Sequence, residues 1–180
     1  MNINTQGWLS GILHKPSPNY NARPTDLDID LLVIHNISLP PGIFSGSDII
    51  QLFQNTLDTS QHAYYKDLEN LKVSSHFLIR RDGEIIQFVS VLDRAWHAGK
   101  SIYQGTDNCN DFSIGIELEG TDTLPFEQGQ YESLIQLTQV IQARFPKITN
   151  NRITGHSTIA PGRKTDPGPY FEWQRYLHAL

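Results

Sequence analysis

Cysteine is almost missing from this chain. Cys109 stands alone, so no disulfide can close within it. A basic excess is missing too: 14 Lys and Arg face 19 Asp and Glu, a formal net charge of -5. Nucleic-acid binders usually present a basic face, so that partner class is set aside. No apolar run is long enough to cross a membrane. The opening MNINTQGWLSGILHKPSPNY lacks the basic lead and unbroken apolar core of a signal peptide. Repeats and low-complexity linkers are also lacking. These absences predict a cytoplasmic chain with no nucleic-acid partner, no membrane contact and no obligate protein partner.

What is present fits one globular domain over residues 1–180. The chain is 38% hydrophobic and 18% charged, a balance that supports a packed core and argues against disorder. The stretch to Asp30, rich in Pro, Asn and Asp, reads as irregular. Leu31-Leu32-Val33-Ile34 is a continuous apolar run, as in a strand buried on both faces, and it ends in His35-Asn36. Ser47 is a candidate cap for a short helix carrying Ile49, Ile50, Phe53 and Leu57. From Val73 to Val89 the pattern is a hairpin, turned at Asp82-Gly83. Ser113 to Glu119 alternates: Ile114, Ile116 and Leu118 share one face, and Gly115, Glu117 and Glu119 share the other. Tyr131, Leu134, Ile135, Thr138, Ile141 and Phe145 mark an amphipathic helix that Pro146 stops. Ile153 to Tyr170 reads as a long Gly/Pro-rich loop, followed by a short helix with Trp173 and Leu177. The fold class expected is α/β.

Three features carry chemistry. His35 closes a buried strand, His156 and Asp166 flank the segment HSTIAPGRKTD, and Glu117 projects from a strand otherwise built for burial. Two neutral imidazoles and a carboxylate make a common catalytic zinc set, with a fourth position left for water. A further carboxylate would then be free to act as a base. The spacing matches no local zinc signature. Periodicity alone leaves Glu117 and Glu119 unseparated. It also leaves His97 open between packing and function, and Lys164 beside Arg163 open between a solvated pair and a working one. His14, His62 and His178 read as surface or structural residues. His76 reads as a packing or carbonyl-bonding residue, and Cys109 as a small buried one.

The strings LLVIHNISLPPG, SSHFLIRRDGEIIQFV, RAWHAG, SIYQG, CNDFSIGIELEGTD and TGHSTIAPGRKTDPGP resemble the AmpD-type anhydro-N-acetylmuramoyl-L-alanine amidases. These are zinc amidases that share a fold with peptidoglycan recognition proteins. The resemblance runs from Gly7-Trp8 to the C-terminal helix. It implies a mixed β-sheet flanked by helices, and zinc held by His35, His156 and Asp166. It implies Glu117 as catalytic acid/base and Lys164 as transition-state stabiliser. The implied substrate is an anhydro-muropeptide, cut between muramic acid and L-alanine during cell-wall recycling, with an effect on β-lactamase induction where a host couples the two. Trp96 and His97 then line the sugar end of the groove. Arg163 would hold a stem-peptide carboxylate bidentately, and Asn36 would offer its amide. One position departs from the pattern: a basic residue often precedes Cys-Asn-Asp-Phe in the family, and here it is Asn108. Two rivals share the resemblance: a recognition domain that binds without cutting, which would lack a metal ligand, and an exported amidase acting on intact wall.

Overall fold

The computed structural model describes residues 1–180. Ten strands form in chain order: β1 (Leu13–His14), β2 (Tyr20–Asn21), β3 (Leu31–Ile37), β4 (Phe77–Ile79), β5 (Ile85–Gln87), β6 (Arg94–Ala95), β7 (Ile102–Tyr103), β8 (Thr106–Asp107), β9 (Ser113–Glu119) and β10 (Ile153–Gly155). Four α-helices accompany them: α1 (Asp48–Phe53), α2 (Gln128–Arg144), α3 (His156–Ile159) and α4 (Trp173–His178). The main sheet is mixed, in the order β1-β5-β4-β9-β3-β10. Only β4 and β5 pair antiparallel within it. The expected α/β fold with a mixed sheet is therefore present.

The centre of the sheet explains the position of the site. β3 and β9 run parallel over seven residue pairs, from Leu31↔Ser113 to Ile37↔Glu119, so His35 lies directly beside Glu117. β10 runs parallel to β3 on its other side, with Gly155 opposite Ile34. The carboxyl ends of three parallel strands therefore open toward one region, where α/β sheets commonly bind ligands. Both faces of the sheet are covered. On one, Leu32, Ile34, Ile114, Ile116 and Leu118 pack with Tyr131, Leu134, Leu137 and Ile141 of α2. Burying each such side chain stabilises by roughly 1.5–3 kcal/mol. On the other, Leu31 and Val33 pack with Ala98, Cys109, Phe112 and Ile159. A third cluster joins Leu52 and Phe53 of α1 to Leu78, Ile86 and Phe88.

Local departures from the sequence reading have local causes. β3 continues through His35 and Asn36 to Ile37 because β9 supplies backbone partners as far as Glu119. Ser47 occupies the N-cap of α1, but its side chain caps nothing; its Oγ accepts from Gln51 Nε2 at 3.0 Å. α1 ends at Phe53, leaving Leu57 outside it. The hairpin turns over Arg81-Asp82-Gly83 rather than two residues: Arg80 N donates to Glu84 O and Gly83 N donates to Arg80 O, each at 2.9 Å. Gly83 has φ +90°, and a Cβ there would stand 2.8 Å from Gly129 O of α2. The opening stretch contributes β1 and β2. Within the expected C-terminal loop, Ile153–Gly155 is a strand and His156–Ile159 a helical turn.

Candidate active site

β3, β10 with α3, and the loop after α3 each contribute one residue to a compact cluster. His35 Nδ1 lies 2.9 Å from His156 Nδ1 and 2.9 Å from Asp166 Oδ2, and His156 Nδ1 lies 3.1 Å from the same carboxylate oxygen. Both histidines are buried, and Asp166 is half-buried. The three residues flagged by chemistry alone are thus brought together, although His35 and His156 stand 121 positions apart in sequence.

Proton bookkeeping tests whether this set suits a cation. His156 Nε2 lies 3.1 Å from Ala98 O, which can only accept. Arg163 Nη2, a donor, also faces that nitrogen, but at the longer distance of 3.4 Å; a proton on Nε2 satisfies the nearer carbonyl and leaves a lone pair on Nδ1 for the cluster. Asp166 brings carboxylate lone pairs. With its own proton on Nε2, His35 adds a second bare nitrogen and completes a set of three lone-pair donors. Three mutually repelling acceptors within about 3 Å are stable around a cation that takes N and O ligands at about 2.0–2.2 Å, and zinc is such an ion. Burial pushes the His35 imidazole down to about 4, so it is neutral and available as a ligand. Burial works against the Asp166 carboxylate, but where His156 and His35 turn N–H groups to it in place of a cation, those hydrogen bonds hold it well below its ordinary range.

Glu117 stands beside this cluster with Oε1 4.0 Å from His35 Nδ1. Its Oε2 is buried and has no hydrogen-bond partner. Burial, then the charge of Asp166, raises its carboxyl well above the usual range, and the positive charge of Lys164 acts in the opposite sense. An unpartnered carboxyl of this kind is costly unless something uses it. Glu119, two residues on, is engaged elsewhere. Its Oε1 accepts from Ser45 N at 2.7 Å, its Oε2 accepts from Arg81 N at 3.2 Å, and Arg80 lies alongside at 3.7 Å. The structure thus separates the two glutamates that periodicity could not.

A cavity of about 840 Å³ opens over the cluster, and all nine expected residues line it except His35, which lies beneath. Lys164 lines it and is exposed. Asn36 lines it, but its Nδ2 donates to Asp122 Oδ1 at 2.7 Å. Trp96 is half-buried, with Nε1 donating to Asn21 Oδ1 at 2.8 Å. Arg163 Nη2 donates to Ala98 O at 2.7 Å and Lys100 O at 2.6 Å, so part of its guanidinium is already engaged by backbone. His97 is buried, its ring turned to His35. Asn108 lies outside the cavity lining, exposed, with φ +56°. Asn tolerates that left-handed conformation better than most residues, a backbone reason for its presence.

Sequence reasoning missed the supports. Asn110 Oδ1 accepts from His97 N at 3.1 Å and Ala98 N at 2.8 Å, fixing the turn that carries both. Arg23 donates to the carbonyls of Asn110, Asp111, Val91 and Ser113, at 2.8–3.3 Å. Its burial lowers the guanidinium to about 10. Arg23 sits in a stretch without periodicity and gave no signal. Gly115 did give one: a glycine on a face otherwise used by side chains marks a close approach. A Cβ there would stand 2.5 Å from His97 Cγ.

Comparison with known proteins agrees with this geometry. The family model for N-acetylmuramoyl-L-alanine amidase matches residues 25–169. The 1,6-anhydro-N-acetylmuramyl-L-alanine amidase AmpD of Enterobacter cloacae is 55% identical over 174 residues, covering 97% of this chain and 92% of the relative. A crystal structure of a selenomethionine derivative of AmpD superposes with a TM-score of 0.97 at 53% identity, covering 100% of this chain and 99% of the other. The amidase AmiD of Escherichia coli was solved with its substrate anhydro-N-acetylmuramic acid-L-Ala-D-gamma-Glu-L-Lys. It superposes with a TM-score of 0.62 at 33% identity, covering 88% of this chain and 58% of that one.

Proposed function

Since this chain belongs to the N-acetylmuramoyl-L-alanine amidase family, in its AmpD-type branch, we propose that it is a zinc-dependent hydrolase of anhydro-muropeptides. It cuts the amide between the muramic acid lactyl group and L-alanine, in cell-wall recycling. The amidase domain is read as residues 1–180 and its setting as the cytoplasm; no helix is long and apolar enough to cross a membrane. By the same reading, loss of the chain lets muropeptides accumulate and alters β-lactamase induction in hosts that couple the two.

The observation that carries the metal reading is the meeting of three groups able to ligate a metal, His35 Nδ1, His156 Nδ1 and Asp166 Oδ2, within 2.9–3.1 Å. Bound by them, zinc would supply Lewis acidity and bring the pKa of water down to about 7. The remaining roles fall to side chains of this chain. Glu117, buried and unpartnered at Oε2, takes a proton from the attacking water and returns it to the departing alanine nitrogen. Its raised proton affinity suits a group that must hold the proton between those two steps. Lys164, on the cavity wall, offers a compact positive charge to the oxygen that becomes negative as the carbonyl is attacked. Trp96 and Asn36 line the same cavity as substrate contacts, and the free part of the Arg163 guanidinium takes a stem-peptide carboxylate. No side-chain nucleophile is needed.

One assay tests this. Soluble anhydro-muramoyl-tripeptide and insoluble sacculi are each incubated with the protein, and products are read by mass spectrometry, with and without chelator. The expected result is release of free tripeptide from the soluble substrate, lost with chelator and restored by zinc, with little action on sacculi. Undiminished turnover after complete metal removal would refute the zinc reading, and rapid clearing of sacculi would refute the recycling role.

A further inference from the structure

Neither ring nitrogen of His97 is free. Nδ1 lies 2.9 Å from His35 Nε2, and Nε2 lies 3.2 Å from Ser113 Oγ. The ring rests on Gly115, where only a hydrogen fits, and His97 is 8% exposed. His97 lines the cavity wall, but with both ring nitrogens engaged it has no polar atom left for a sugar. Whatever contact its ring makes from the cavity wall, its nitrogens serve another role.

His35 has two places for its proton. On Nδ1 it would point at Asp166 Oδ2, 2.9 Å away, and occupy the space among the three donors. On Nε2 it would point at His97 Nδ1. The second placement needs an acceptor there, so His97 must carry its own proton on Nε2, where Ser113 Oγ accepts it. The reverse order would have Ser113 donate to His97, and His97 donate to His35. That forces a proton onto His35 Nδ1 and closes the site to a cation. His156 is placed to follow the first pattern, its Nε2 3.1 Å from Ala98 O and farther, 3.4 Å, from the donor Arg163 Nη2. Each imidazole of the cluster thus meets an acceptor at Nε2, one a backbone carbonyl and the other a second imidazole. Partners of this kind commonly fix the tautomer of a metal-binding histidine.

We propose that His97 is a positioning residue: it accepts the Nε2 proton of His35, passes direction on to Ser113, and so keeps His35 Nδ1 bare for the metal. This rests on the zinc reading above. It also assigns Gly115 a purpose, since a side chain at that position would displace the ring from His35.

Two variants separate this role from packing. His97→Phe keeps a ring over Gly115 but has no acceptor. His97→Asn loses the ring but offers Oδ1 near the place of Nδ1. Zinc affinity is measured by competition with a chromophoric chelator, and folding by circular dichroism. His97→Phe is expected to bind zinc about 10–100-fold more weakly than the unmodified chain, and His97→Asn to recover most of that loss. A packing role predicts the opposite order. A second measurement needs no variant: nitrogen-15 NMR of the zinc-loaded chain should find the His97 proton on Nε2. Unchanged zinc affinity in His97→Phe, or a His97 proton on Nδ1, would overturn the proposal while leaving the zinc reading standing. Failure of the unmodified chain to bind zinc at all would overturn both.

Discussion

Gly115→Ala adds one methyl group beneath the site, and its cost can be worked from the geometry. The new Cβ would lie 2.5, 2.6 and 2.8 Å from His97 Cγ, Nδ1 and Cδ2, against an ordinary contact of 3.4 Å or more. The ring must retreat by about 0.9 Å. Gly115 does not have a positive φ, so the backbone accepts alanine and the strain is steric. Held at both nitrogens, the ring cannot retreat without stretching or bending one of its bonds. Overpacking of this kind costs roughly 1–3 kcal/mol, and a buried hydrogen bond contributes about 0.5–1.5 kcal/mol. The sum is about 1.5–4.5 kcal/mol. At about 2–4 °C per kcal/mol for a chain of this size, the melting temperature falls by roughly 3–18 °C. The more specific expectation concerns zinc. If His97 steers His35, the variant also binds zinc more weakly, and each tenfold loss removes about 1.4 kcal/mol of the stabilisation zinc provides. The gap between variant and unmodified chain should therefore be wider in excess zinc than in chelator. Gly120→Ala is the control, because its Cβ would meet Phe126 at 2.5 Å, against the α2 face of the sheet. Its gap should be equal in both conditions. Melting by circular dichroism in chelator and in zinc gives all four differences. An unchanged melting temperature for Gly115→Ala would refute the steric argument. An equal gap in both conditions would refute the link to His35.

The two glutamates of β9 should separate cleanly. Glu117→Gln keeps zinc and fold but loses about 10²–10⁴-fold in turnover, the usual worth of a positioned acid/base group; near-normal turnover in a folded, zinc-loaded variant would place the base elsewhere. Glu119→Ala strands the backbone N–H groups of Ser45 and Arg81, so it lowers stability by about 1–3 kcal/mol in urea unfolding while turnover per folded molecule holds. Lys164→Ala, at an exposed position, leaves the melting temperature and metal content intact and costs about 10²–10³-fold in turnover. A loss confined to KM would instead make it a substrate contact.

The central sheet was legible because burial on both faces leaves a plain mark. Leu31 to Ile34 and Ser113 to Glu119 read as strands and are strands. Their polar residues stood out for the same reason: His35 and Glu117 interrupt positions that burial would otherwise fill with apolar groups. Ile153–Gly155 escaped because three residues amid Gly and Pro are too few to show a period. Its strand character comes from β3, which offers it a parallel edge. The ligand set could be suspected from residue types, but its closure over a separation of 121 residues came by resemblance and not by spacing. Arg23 and Asn110 were illegible for a different reason. Their partners are backbone carbonyls and amides distant in sequence, and such contacts leave no pattern in side-chain order.

The pairing of His35 with Glu117 across β3 and β9 also sets how this chain can diverge. Adding or deleting one residue within either strand would turn every later side chain to the opposite face, sending the carboxyl toward α2 and an isoleucine or leucine toward the cavity. Point changes at neighbouring positions leave that alignment intact. Lineages descending from this chain are therefore free to vary the length of surface turns such as Gly11 or Gly105, where a Cβ would meet nothing within 4 Å. Between Leu31 and Ile37, and between Ser113 and Glu119, the number of residues is itself inherited.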